Sequence, residues 1–273
     1  MLMQNSKDRE LTIEKKGSLW RIPEFEKGKL RLKNCGDLTL EIGENAEIDL
    51  LEIKTENGGN LNIHLNANSK VRYNVFTDGT CADGTRAFTL EEGAYLLGAY
   101  ADFGKGTKKT EVRVDLNGRR SEVSWHLAAL SQGDDDKIFS INFNHNVGET
   151  KAKMENYGVC KNRSSLQFLG DAVIVKGAKK SSTNQSAKIM VFDEACRAKA
   201  SPKLCIYEND VEASHGASEG QIPSDHIFYL MSRGISEEDA RRLITLGYLY
   251  PILSYFEDEE IVSMIRDTIV ERL

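Results

Sequence analysis

Apolar and polar residues alternate one by one along much of the chain. Leu38-Thr39-Leu40-Glu41-Ile42, Leu61-Asn62-Ile63-His64-Leu65, Val112-Arg113-Val114-Asp115-Leu116 and Phe139-Ser140-Ile141-Asn142-Phe143 each put every second side chain on one face. That period predicts short β-strands with one buried side. Turn-forming residues separate them, at Asn57-Gly58-Gly59-Asn60, Asp78-Gly79, Asp83-Gly84 and Asn117-Gly118, because Asn, Asp and Gly tolerate the backbone of tight turns. Strand starts recur at Leu38, Ile48, Leu61 and Val71 and again at Val112 and Val123, and no proline occurs between Pro23 and Pro202. A spacing of roughly ten residues suits a sandwich, a barrel or a parallel β-helix. The even succession without a helical interruption favours the solenoid, in which each rung buries its face on the next.

Past Pro223 the period changes. Ser224 is placed to cap a helix through Ser232 with Ile227, Leu230 and Met231 on one side, and Gly234 to end it in a left-handed conformation. Ser236-Glu237-Glu238-Asp239 resembles a capping box with Asp in place of Glu, opening a second helix that carries Ala240, Leu243 and Ile244 to Gly247. A third helix starts acidic, Glu257-Asp258-Glu259-Glu260, and spaces Ile261, Ile265 and Ile269 by four. The pattern divides the chain into a β part with a short N-terminal extension, 1–222, and a helical part, 223–273.

A chain of 273 residues, 40% hydrophobic and 29% charged, can bury one sizeable core. Its net charge of -6 and pI of about 5.5 argue against nucleic acid or an anionic membrane as partner, since phosphate binding needs a local excess of Lys and Arg. Met1 to Glu10 lacks the apolar core of a signal peptide, and no apolar run has the length of a membrane span. A cytoplasmic protein is expected. The five cysteines, Cys35, Cys81, Cys160, Cys196 and Cys205, include no C-x-x-C pair, so reduced thiols are expected rather than a disulfide framework or a structural zinc site. Gly104-Lys105-Gly106-Thr107 lacks the spacing of a phosphate-binding loop, and no nucleotide is expected to bind this chain.

The stretch SHGASEGQIPSDHIFYLMSRGISEEDA, from Ser214 to Ala240, resembles the SufB/SufD family of iron-sulfur cluster assembly proteins. Ser214-His215-Gly216-Ala217, Phe228-Tyr229-Leu230 and Ser232-Arg233-Gly234-Ile235 stand in that family's order and spacing. The resemblance extends upstream through FLGDAVIVKGAKKSSTNQSAKIMVFDEA (Phe168 to Ala195) and SPKLCIYENDVEASHG (Ser201 to Gly216), with a looser match from Asp115 to Thr150. His215-Gly216-Ala217, where SufB-like members carry His-Glu-Ala, is similar to the SufD-like side. The resemblance implies a right-handed parallel β-helix followed by a small α-helical C-terminal domain. It also implies a non-catalytic scaffold that pairs through its β-helix with a SufB-like paralogue or a second copy of itself. An ABC-type ATPase, SufC, would dock on the C-terminal helices, and a transient iron-sulfur cluster would be held between subunits.

Within that frame His215 offers a neutral imidazole to iron, Cys205 a soft thiolate and Glu212 a carboxylate oxygen. Phe228, Tyr229, Arg233, Gly234 and Ile235 are the expected partner-binding residues. Strand parity sets a condition: if Leu204 and Ile206 face inward, Cys205 faces outward, whereas His215 shares parity with Val211 and Ala213. Two other readings compete. β-Helices also carry carbohydrate-active enzymes, which need paired carboxylates such as Asp134 to Asp136 or Glu208 with Asp210; and the chain could be an ATPase-binding module that never holds a cluster. His126 and His145, on alternating segments, are expected to stack within the β-helix.

Overall fold

The computed structural model describes residues 11–55, 59–80, 84–222 and 224–273. Met1 to Glu10, Asn57-Gly58, Cys81, Asp83 and Pro223, on which expectations above also rest, lie outside the described residues. In chain order the strands begin with β1 (Glu14–Lys16), β2 (Leu19–Ile22), β3 (Lys27–Lys33), β4 (Leu38–Ile42), β5 (Glu47–Lys54), β6 (Leu61–Leu65), β7 (Lys70–Thr77) and β8 (Gly84–Leu90). They continue as β9 (Tyr95–Asp102), β10 (Thr107–Leu116), β11 (Glu122–Ser131), β12 (Asp136–His145), β13 (Lys151–Cys160), β14 (Ser165–Ile174), β15 (Ser182–Val191), β16 (Arg197–Ile206) and β17 (Glu212–Gln221). The odd strands from β3 to β17 form one sheet, and β1 with the even strands forms the other. Apart from the antiparallel β1–β2 hairpin, strands pair in parallel with the strands two before and two after them, the end strands β2, β3, β16 and β17 on one side only. The fold is a parallel β-solenoid.

Parallel pairing in register puts like positions above one another, so inward side chains form columns along the solenoid. One runs Leu40, Ile63, Phe88, Val114, Phe143, Ala172, Leu204 on the even sheet. Another runs Leu50, Tyr73, Gly98, Trp125, Met154, Gln185, His215 on the odd sheet. Gly98 is required where it stands, because a Cβ there would lie 2.2 Å from Trp125 Cε3. Most inward residues are apolar and buried, and burying each large side chain is worth about 1.5–3 kcal/mol.

The inside also holds charge. Glu52, fully buried, accepts from Arg86 at 2.5 and 2.9 Å and from the Tyr73 hydroxyl. Burial alone would raise the Glu52 pKa, but Arg86 and Tyr73 outweigh it and hold the carboxylate below its usual range.

The helical part comprises α1 (Ser224–Ser232), α2 (Glu237–Leu249), a 3-10 turn (Tyr250–Tyr255) and α3 (Glu259–Glu271). Ser236 caps α2 by accepting the amide of Asp239, and Asp258 caps α3 by accepting those of Glu260 and Ile261. Gly234, at φ +84, follows α1 as expected. Ile261, Ile265 and Ile269 are buried, together with Leu249, Ile252 and Phe256, against Phe76, Ala101, Phe103, Ala128, Leu130 and Val159 on the outer face of the odd sheet. The helices therefore share a core with the solenoid. Two apolar stripes differ in part from expectation: Met231 and Leu243 are exposed, and α2 buries Ala240, as expected, together with Thr245 and Leu249. No residue of α1 is buried.

Candidate functional site

The solenoid ends in an uncovered rung. Among the described residues β16 pairs only with β14 and β17 only with β15, and all ten residues of β17 are exposed. Register fixes which way each side chain points. In β15 the buried residues are Thr183, Gln185, Ala187 and Ile189, and their partners in β17 are Ala213, His215, Ala217 and Glu219. Those four face the inside of the solenoid at its open end. On β16 the inward positions are Ala198, Ala200, Pro202, Leu204 and Ile206, the partners of Leu166, Phe168, Gly170, Ala172 and Ile174.

The three cluster candidates separate accordingly. His215 is inward-facing and exposed, and its side chain makes no hydrogen bond or ion pair among the described residues. Cys205 pairs with Val173 and Glu212 with Ser182, which turns both to the outer faces of opposite sheets, as parity predicted for Cys205. Glu219 shares the face of His215, and its carboxylate accepts the amide of Ala200 across the opening. Sequence reasoning missed Glu219, although its even separation from His215 gives the same parity. Among the described residues no three His, Cys, Asp or Glu side chains converge to hold a metal ion.

Two other histidines, His126 and His145, are occupied. His126 lies on the outer face of the odd sheet, stacked on Tyr255 at 4.1 Å, with Ser124 Oγ 2.9 Å from Nε2 and Glu155 3.2 Å from Nδ1. His145 is fully buried in an inner column, between Leu116 and Ile174, with Nδ1 2.7 Å from Thr150 Oγ1. Burial pulls both pKa values down to about 4, for His126 against the raising influence of Glu155.

Asp134, Asp135 and Glu208, three of the carboxylates proposed for an enzyme, are likewise engaged. Asp134 pairs with Arg163 at 3.0 Å and Asp135 with Arg272 at 2.6 Å. Glu208 accepts the amides of Gly177 and Asn209, each at 2.9 Å, and those backbone bonds hold its pKa below the usual range.

The expected partner-binding residues lie together at the α1–α2 corner. Phe228 and Tyr229 are 74% and 56% exposed, an unusual display of aromatic surface. The Arg233 guanidinium stacks 5.3 Å from the Tyr229 ring, Gly234 makes the turn and Ile235 is half-buried beside it. No helix among the described residues is long and apolar enough to cross a membrane.

A family model described as SUF system FeS cluster assembly, SufBD core domain, matches residues 31–248. The iron-sulfur cluster assembly protein SufD of Bacillus subtilis (strain 168) is 29% identical over 198 residues, covering 62% of this chain and 45% of that protein. Its namesake in Escherichia coli (strain K12) is 23% identical over 235 residues, covering 86% and 51%. An iron-sulfur cluster assembly SufBD family protein of Pyrococcus horikoshii is 36% identical over 91 residues, covering 33% and 20%. The chain spans about half the length of the two SufD relatives it matches.

Proposed function

The chain belongs to the SufBD core family of the SUF iron-sulfur cluster assembly system, and on that premise we propose that it is a non-catalytic scaffold subunit that holds a nascent cluster as cargo. The observation that carries this reading is the open terminal rung, with His215 facing inward on a strand that no described residue covers. An uncovered strand edge favours pairing with a second chain, and a lone imidazole needs further ligands to hold iron. A second copy or a SufB-like paralogue seated on β16 and β17 would supply both. Cys205, on the outer face, is a ligand only toward a chain that wraps that face, and the same holds for Glu212.

The ATPase is assigned to the α1–α2 corner, where Phe228 and Tyr229 offer an aromatic surface to a partner groove. Energy for conformational change would come from that partner. The free thiols Cys35, Cys160, Cys196 and Cys205 suit a reducing, cytoplasmic setting.

Anaerobic reconstitution with iron and sulfide, followed by absorption spectroscopy, tests the proposal. The wild-type chain with its pairing partner is expected to show a cluster chromophore, and His215→Ala to lose it while keeping its partners. Normal loading of His215→Ala would remove the histidine from the site. No chromophore in the native complex would leave an ATPase-binding module.

A further inference from the structure

His215 tops a column that is otherwise hydrophobic up to the rung beneath it: Leu50, Tyr73, Gly98, Trp125, Met154, then Gln185. A glutamine in such a column is costly, since each buried amide group without a partner loses its hydration. Gln185 is 1% exposed. Its Nε2 is satisfied, donating to the carbonyl oxygen of Lys203 across the solenoid at 3.3 Å. That bond fixes which end of the amide is which and leaves Oε1 buried with no partner. Opposite, Gly170 keeps the space open: a Cβ there would lie 3.1 Å from Gln185 Oε1 and 2.7 Å from Met154 Cε.

Gln185 and His215 are paired positions of adjacent parallel strands on the same face, a spacing of about 4.8 Å between strands, within reach of two long side chains. A histidine that binds a metal through one ring nitrogen ordinarily donates the N–H of the other to an oxygen acceptor, which fixes tautomer and ring orientation. The orphaned Oε1 is such an acceptor, one rung below.

We propose that Gln185 is a positioning residue for His215, which is unbonded as it stands: a turn of the imidazole toward the rung below brings one ring N–H onto Oε1 and leaves the other nitrogen facing the open end of the solenoid. The inference rests on the reading of His215 as a cluster ligand for its purpose, but the hydrogen bond itself is testable without a cluster.

The experiment is ¹⁵N nuclear magnetic resonance of the full chain with labelled histidine at a pH where imidazole is neutral, His215 being assigned by the signal missing in His215→Asn. The wild type is expected to show an exchange-protected imidazole N–H and one dominant tautomer. Gln185→Leu should lose the protected signal and relax the tautomer ratio several-fold, and Gln185→Glu, which keeps an acceptor, should restore both. Gln185→Met, matching Met154 below, serves if the leucine variant does not fold. Absence of a protected N–H in the wild type, or its persistence in a folded Gln185→Leu or Gln185→Met protein, overturns the proposal. Cluster loading then separates the two ideas. If His215→Ala is defective, loss of the acceptor should lower loading about tenfold or more, and unchanged loading overturns the positioning role. If His215→Ala loads normally, the cluster reading fails while the N–H result stands on its own.

Discussion

Arg272, which follows α3, holds the carboxylate of Asp135 at 2.6 Å, and its other terminal nitrogen donates to the carbonyl oxygen of Phe103 at 2.7 Å. Both side chains are only 7% exposed, so the pair fastens the last helix to the turn between β11 and β12 in a largely dry setting. Removing one member leaves the other charge buried, and Arg272→Ala is expected to cost about 3–5 kcal/mol in urea unfolding. Arg272→Lys should recover only part of it, because an ammonium lacks the planar fork that reaches carboxylate and carbonyl together. A loss under about 1 kcal/mol would class the pair with solvated surface bridges.

The shared core makes the helical part a poor candidate for clean removal. A chain ending at residue 222 would bare Phe76, Phe103, Leu130 and Val159, and it is expected to aggregate or bind a hydrophobic dye. ATPase docking is better tested at α1. Phe228→Asp with Tyr229→Ser should abolish co-purification of the ATPase while moving Tm by no more than about 2 °C, since exposed substitutions seldom shift stability much. Retained co-purification would move the docking surface elsewhere.

Pairing through the open rung predicts a different phenotype. Ala217→Arg, on the exposed inward face of β17, should leave circular dichroism unchanged and weaken association with a second copy or paralogue about tenfold or more, on the order of 1.4 kcal/mol. Sedimentation velocity reads the change. Leu204→Asp, half-buried beside the core, should instead lower stability.

Acid weakens the fold through its buried histidines. Unfolded, His126 and His145 titrate near the ordinary value of 6.5; folded, both titrate near 4. Below pH 6.5 the unfolded chain takes up protons that the folded chain refuses. Their contribution is therefore fully present above pH 6.5 and is lost progressively as pH falls toward 4, approaching about 1.4 kcal/mol per unit for each histidine. Urea titrations between pH 6.5 and 5 check this: His145→Asn should remove about half of the two histidines' combined slope. An unaltered slope would mean that His145 is not kept neutral by burial.

Much of this was legible in strand parity. Leu38–Ile42 and Leu61–Leu65 are strands with the predicted bounds, and the separation of Cys205 from the face of His215 follows from counting by twos. The caps at Ser236 and the buried stripe Ile261, Ile265, Ile269 were equally plain, because capping and helical spacing are local. β10 and β12 run farther toward the N-terminus than their apolar alternation does, since Lys108 and Lys137 occupy buried positions and meet Asp102 at 3.1 and 2.6 Å. Buried charge of that kind has no signature in a hydrophobic pattern. The shared core did leave a trace: Leu127-Ala128-Ala129-Leu130 breaks alternation with a continuous apolar run, the mark of a strand buried on both faces. Gln185 could not have been singled out, because only the column reveals what surrounds it.

The one-sided pairing of β17 also sets how the molecule breathes. In a stack where each rung rests only on its neighbours, opening need not be global and begins at an end. Amide hydrogens of β17 should therefore exchange with deuterium far sooner than those of β11 or β13, which are paired on both sides. A chain zippering onto that edge would slow exchange there first, so the footprint of the pairing subunit would be written in newly protected amides from Glu212 to Gln221.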